Sequence, residues 1–147
     1  GRFLKESLKG LGDLEIQPLE TSLLKPLNGW VEIGPDRFGA IPYTNSPSAV
    51  VGGILTDCGY GLERELRGKN LKGKIALVRE GKLPFREKEK LLYLKGAAGI
   101  IVFRPEVDHY YSGISAGLLP TVSVKPSDAR LWAEGSQVVI GSQTQRV

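Results

Sequence analysis

Methionine is absent from the 147 residues, and there is one cysteine and one histidine. The single Cys58 excludes an internal disulfide, and without a Cys-x-x-Cys pair neither a zinc ribbon nor a dithiol redox site can be built. With His109 alone, a histidine-rich metal centre or a serine–histidine–acid triad is hard to assemble. Aromatics are sparse at 7%, and no apolar run approaches the ~20 residues that cross a bilayer as a helix. These shortages leave folding intact. A chain of this length buries about 68–70% of its unfolded surface and needs no covalent staple. Its 41% hydrophobic and 24% charged residues are those of a globular protein, which excludes a mainly disordered chain. The length suits one domain with flanking pieces. Glycine is plentiful at 19, with 9 prolines, so strands joined by tight turns are expected rather than a helical bundle.

The net charge is +4, and the excess lies in residues 63–90. There the signs alternate, as in Glu63-Arg64-Glu65 and Arg86-Glu87-Lys88-Glu89-Lys90. A single aromatic, Phe85, lies among them, not a spaced series of stacking platforms for single strands. This is the pattern of a solvated, mixed-charge surface, and no nucleic-acid partner is expected.

Leu4, Leu8 and Leu11 lie on one stripe of a short helix that Gly12 would stop. Both ends read as cut, so the chain is expected to be a piece of something larger. No stretch reads as a secretory signal, and the compartment stays open. Strands are expected at residues 15–20, 30–33, 49–55, 75–78, 100–103 and 121–124, with extended chain from 137 to 147. A helix is expected from Pro84 to about Leu94, with Gly96 ending it, and a short one from Pro126 to Trp132. Strand, helix and strand at 75–103 form a βαβ unit. The fold class is therefore mixed α/β and β-rich.

Four runs carry a resemblance. They are Gly53-Ile54-Leu55-Thr56-Asp57-Cys58-Gly59-Tyr60-Gly61, then Leu71-Lys72-Gly73-Lys74-Ile75-Ala76-Leu77-Val78-Arg79-Glu80-Gly81 with Pro84-Phe85-Arg86-Glu87-Lys88, then Gly96-Ala97-Ala98-Gly99-Ile100-Ile101-Val102, then Leu119-Pro120-Thr121-Val122-Ser123-Val124 with Asp128 and Leu131. In this order and spacing the chain resembles the protease-associated (PA) domain over residues 41–134. The resemblance implies a swivelling β/β/α fold, an open sheet or small barrel with a few short helices. It divides the chain into a flanking helix and strand at 1–40, the PA domain at 41–135 and a return strand at 136–147. It also implies a module without catalytic residues, an insert of peptidases or an appendage of sorting receptors. Glu89 departs from the family pattern, standing where a small apolar residue is usual. A helix slightly rotated or partly exposed at that point is expected.

The flanks resemble those of the di-zinc aminopeptidase family that includes aminopeptidase Y, glutamate carboxypeptidase and the transferrin receptor. That implies a host peptidase domain as partner, zinc in the host and none in this fragment, peptide or protein substrates, and a secreted or cell-surface host. A stand-alone or receptor-type interaction module, or an insert of a subtilisin-like protease, is the alternative. Gly113-Ile114-Ser115-Ala116-Gly117 matches a nucleophile-elbow pattern, but no histidine follows Ser115 and a strand opens at Leu119-Pro120. A flexible glycine loop is expected there, and Cys58 is expected to be a small buried apolar residue. Residues 15–20 are expected beside 143–147, antiparallel, leaving open strand edges through which a homodimer could form. Contacts to substrate or partner are sought in the long loop 104–118, at Glu106, Asp108, His109, Tyr110 and Tyr111.

Overall fold

The computed structural model describes residues 23–146. The helix expected at residues 4–11 and the strand at 15–20 lie outside them. Seven strands and three short helices follow in order: β1 Leu24–Ile33, β2 Asp36–Pro42, β3 Ala49–Asp57, α1 Glu63–Leu66, β4 Ile75–Arg79, α2 Phe85–Leu94, β5 Gly99–Phe103, β6 Thr121–Ser123, α3 Pro126–Ala129 and β7 Gln137–Arg146. The strands close into a barrel in the order β1-β2-β6-β5-β4-β3-β7, with β7 returning to β1. β3, β4, β5 and β6 run parallel to one another, and the other pairings are antiparallel. The expected β4–α2–β5 unit is present, its strands pairing Ile75 with Gly99 through Arg79 with Phe103.

Alternation along β4 and β5 assigns their side chains to two cores. Ile75, Leu77, Ile101 and Phe103 face the barrel interior with Val31, Val122 and Ile140. Ala76, Val78, Ile100 and Val102 face outward under the helices, against Leu66, Phe85 and Leu92. Burial on both faces is why these two strands read as unbroken apolar runs. The helix between them ends as its glycine dictates. Gly96, at φ 89°, donates to the Tyr93 carbonyl, and Ala97 donates to that of Leu92, the paired bonds of a Schellman cap.

Several elements differ from the sequence reading. β1 begins at Leu24, not Trp30, because β7 lies alongside it for its whole length; a register shift between Pro26 and Asn28 accommodates the proline. β2 was not anticipated, and α3 stops at Ala129 instead of Trp132.

The open edges expected near residue 143 are not there among the described residues. β1 pairs with one side of β7 and β3 with the other. Where β3 has not yet begun, the Ser48 hydroxyl accepts from the Thr144 N–H at 2.9 Å and lies 3.0 Å from its carbonyl. That stretch of the edge expected to be open is thus covered, and the 15–20 strand expected beside it lies outside the described residues.

Candidate functional site

The buried face of α2 carries Phe85, Lys88, Glu89 and Leu92, spaced to meet the sheet once per turn. Two of these four are charged, and each has a complete set of partners. The Lys88 Nζ donates to the Arg79 carbonyl at 2.7 Å and the Gly81 carbonyl at 2.6 Å, and lies 3.9 Å from Glu80 Oε1. The Tyr43 hydroxyl donates to Glu80 Oε2 at 2.5 Å. Burial pushes the Lys88 ammonium below its ordinary pKa, against the pull of Glu80. Burial, reinforced by Glu80, pushes the Tyr43 phenol far above its own. The Tyr43 ring meets Phe85 edge-on at 4.9 Å between centroids. Through this chain the segment after β2, the end of β4 and the first turn of α2 are tied together.

Glu89 is 0% exposed, so the partly exposed helix face that was one expectation there is not what forms. Its carboxylate reaches across to the loop at 115–119. Oε1 accepts from the Ala116 N–H at 2.7 Å; Oε2 accepts from the Ser115 hydroxyl at 2.7 Å and from the N–H groups of Leu118 and Leu119 at 3.1 and 3.2 Å. Gly117 N–H donates in turn to the Ser115 Oγ at 2.9 Å. A buried carboxylate is tolerated only when its lone pairs are filled, and here the loop's main chain fills them. The loop read as a flexible glycine segment is therefore pinned. Ser115 is buried, with its hydroxyl committed to Glu89.

Before that latch the chain passes over Tyr43, whose ring leaves no room for a Cβ on Gly113. Thr44 N–H donates to the Gly113 carbonyl at 3.0 Å and Ser115 N–H to the Thr44 carbonyl at 2.8 Å, forming a parallel bridge between Thr44 and Ile114. Between this pinned segment and residues 80–86 runs a groove of about 660 Å³. Its lining includes Phe85, Arg86, Arg104, Tyr111 and Ile114. A second, more apolar groove of about 630 Å³ continues from it, sharing Arg86 and Ala116 and adding Leu91, Leu94 and Leu118. Leu94 and Ile114 are 69% and 67% exposed, an unusual amount of large apolar surface for one small face.

The five residues sought in the long loop do not gather at one point. Tyr111 lines the groove, its ring 5.2 Å from the Arg104 guanidinium and its N–H donating to Ser123 Oγ at 2.9 Å. Glu106 is exposed, 3.6 Å from Arg104 Nε. Asp108 accepts from the Ser127 N–H at 3.1 Å, which holds its carboxyl below the ordinary value. His109 Nδ1 is 2.9 Å from the Tyr110 carbonyl, and Tyr110 is half-buried 5.9 Å from the Lys125 ammonium. Glu80, Arg86 and Ile114 were missed as groove residues; the only signal for them was Glu89, a charge in an apolar position three residues after Arg86. Cys58 sits in the outer core with its thiol pushed up to about 12 by burial. Among the described residues no three His, Cys, Asp or Glu side chains converge as metal ligands would.

A family model of the PA domain matches residues 41–132. The chain belongs to the PA domain family. Among solved structures, this PA domain is similar to an aminopeptidase from Aneurinibacillus sp. strain AM-1, at 23% identity and a TM-score of 0.70, over 85% of this chain and 32% of that one. It is similar to BSAP, a zinc aminopeptidase from Bacillus subtilis, at 17% identity and a TM-score of 0.70, over 84% of this chain and 34% of that one. A psychrophilic subtilisin-like protease, Apa1 from Pseudoalteromonas sp. AS-11, matches at 21% identity and a TM-score of 0.63, over 84% and 34%. The chain thus spans about a third of the length of the proteins it resembles. No curated protein matches it significantly. These likenesses agree with the β-rich fold of seven barrel strands and few short helices.

Proposed function

We propose that this PA domain is a non-catalytic module of a zinc aminopeptidase that borders the host's substrate path and meets peptide or protein substrates with the groove between residues 80–86 and 111–116. The observation that carries the reading is that groove, with a wall held rigid by the Glu89 carboxylate and exposed cationic and apolar side chains along it. A fixed rim costs no ordering when a chain binds, which suits a specificity element. The host's zinc would be held by residues outside those described here, and the chemistry would be the host's. Tyr111 belongs to the rim, while Glu106 and Arg104 set its charge; Asp108, His109 and Tyr110 are not among the residues that line it. A subtilisin-like host is the second reading, supported by the match to Apa1. Metal-ligand motifs or a serine–histidine–aspartate set in the encoded full-length chain separate the two.

Arg86 is exposed and makes no ion pair among the described residues, so reversing its charge perturbs the rim without loosening the fold. In the full-length peptidase, Arg86→Glu is expected to raise KM for longer peptides by about tenfold, a shift of ~1.4 kcal/mol in uniform binding. Hydrolysis of an aminoacyl-nitroanilide, too short to reach the rim, should stay unchanged. Identical kcat and KM for every substrate length would remove the groove from the substrate path.

A further inference from the structure

The edge of the pinned segment is half used. In an extended segment, N–H and C=O groups of successive residues point to opposite sides. Gly113 and Ser115 direct theirs at Thr44, so the N–H and C=O of Ile114 between them point the other way. Neither has a hydrogen-bond partner among the described residues. Every neighbouring donor toward the C-terminal side is taken: Ala116, Leu118 and Leu119 by Glu89, and Gly117 by Ser115. Ile114 thus offers one isolated donor–acceptor pair, and it lines the 660 Å³ groove.

The charge around this pair has one sign available to a ligand. Arg86 and Arg104 line the groove. The carboxylate that also lines it, Glu80, is buried and already engaged by the Tyr43 hydroxyl and the Lys88 ammonium. Arg104 has a surface neighbour in Glu106, 3.6 Å away and 63% exposed, which water screens and an incoming acid can replace.

We infer that the groove receives an extended acidic peptide segment, which adds as a short strand along Ile114, bonds its N–H and C=O, and places carboxylates near Arg86 and Arg104. Main-chain pairing supplies attraction independent of sequence, and the two cations supply the preference for acidic side chains. The Glu89 latch and the Thr44 bridge hold that edge extended before the peptide arrives, so little ordering is needed at the moment of binding. The inference rests on the groove being the contact surface proposed above, and adds the mode of contact and the class of segment.

The test titrates the ¹⁵N-labelled 147-residue chain with acetyl-Val-Glu-Val-Glu-Val-amide and with its lysine counterpart. The acidic probe is expected to shift the Ile114 amide resonance and slow its hydrogen exchange by about tenfold. The lysine probe should bind about tenfold more weakly. Ile114→Pro deletes a donor that no bond of the fold uses and should weaken the acidic probe by about tenfold, whereas Ile114→Val should not. Should the proline variant fail to fold, an acidic probe carrying an ester in place of its central amide must show the same loss against the unaltered chain. Binding that leaves Ile114 untouched and shifts other groove residues overturns strand pairing but not the groove. An acidic probe that shifts no resonance in the groove overturns this inference, while the Arg86→Glu kinetics judge the substrate-path reading separately.

Discussion

Asp57 ends β3 at a junction where three segments meet, and its carboxylate has partners from two of them. It accepts from the Gly59 N–H at 2.9 Å and from the Arg79 guanidinium at 3.1 Å. Burial alone would raise its pKa, but these two bonds and the Arg79 charge outweigh burial and hold the carboxyl below the ordinary aspartate value. The sign of the linkage follows. A carboxyl depressed in the folded state contributes stability that is complete above its unfolded pKa of about 3.9 and is lost as pH falls through the folded value. The side chain is 42% exposed, so water screens the pair and the contribution stays below about 1 kcal/mol. Urea midpoints measured between about pH 6 and pH 2 should therefore fall more for the parent chain than for Asp57→Asn. Parallel acid limbs would show that the Asp57–Arg79 contact contributes nothing. Lys88 is the opposite kind of residue. Its ammonium is wholly buried, and its bonds to two main-chain carbonyls make it a cross-link between strand end and helix, not a surface charge.

At the scale of elements, what the sequence made legible was whatever is encoded locally. The unbroken apolar runs at 75–78 and 100–103 announced two central strands. Pro84 and Gly96 bracketed α2 to within a residue. β2 escaped because Gly39 and Pro42 break its pattern; its partners, Gly29 to Ile33 of β1 and Val122 to Ser123 of β6, are what make it a strand. The groove escaped for the same reason. Residues 80–86 and 111–116 are far apart in the chain, and the Tyr43–Glu80–Lys88 chain, the Thr44–Ile114 bridge and the Glu89 latch bring them face to face. Glu89 was visible as an anomaly, but a charge in an apolar position announces a partner without naming it. Its role can be tested between elements. In Glu89→Gln one acceptor oxygen becomes an amide donor that must face Ala116 N–H or the Leu118 and Leu119 pair. Leaving a buried donor unmatched costs about 1–3 kcal/mol. Equilibrium unfolding should report a loss of that size, with amide exchange at 116–119 quickening well beyond exchange in β4. Uniform acceleration across both would mean that the carboxylate supports the fold generally and does not hold the loop.

For the whole molecule, the two cores are one structure because β4 and β5 belong to both. Ile75 and Leu77 pack inside the barrel while Ala76 and Val78, on the same strand, pack beneath α2. Stripping α2 away would expose the outer face of two strands whose inner face the barrel needs, so neither core persists alone. Unfolding is then expected to be a single transition. Two probes read the cores separately. The tryptophans report the barrel side: Trp30 pairs with Gly39 and Gly141 on β2 and β7, and Trp132 stacks edge-on with Phe38 at 5.3 Å between centroids. Far-UV circular dichroism near 222 nm, a region dominated by helices, follows α2, the longest of the three at 10 residues. Leu92 of α2 is fully buried and belongs to the outer core, not to the barrel cluster. Leu92→Ala should cost about 2–5 kcal/mol, the usual price of a large-to-small change in a packed core. If the strands couple the cores, that loss appears equally in tryptophan fluorescence and in the helical signal, and both curves keep one shared midpoint. If the helical signal instead melts at lower urea while the tryptophans stay folded, the barrel stands without its helical layer. The closed ring of seven strands would then be the independent unit, and α2 with its groove an attachment to it.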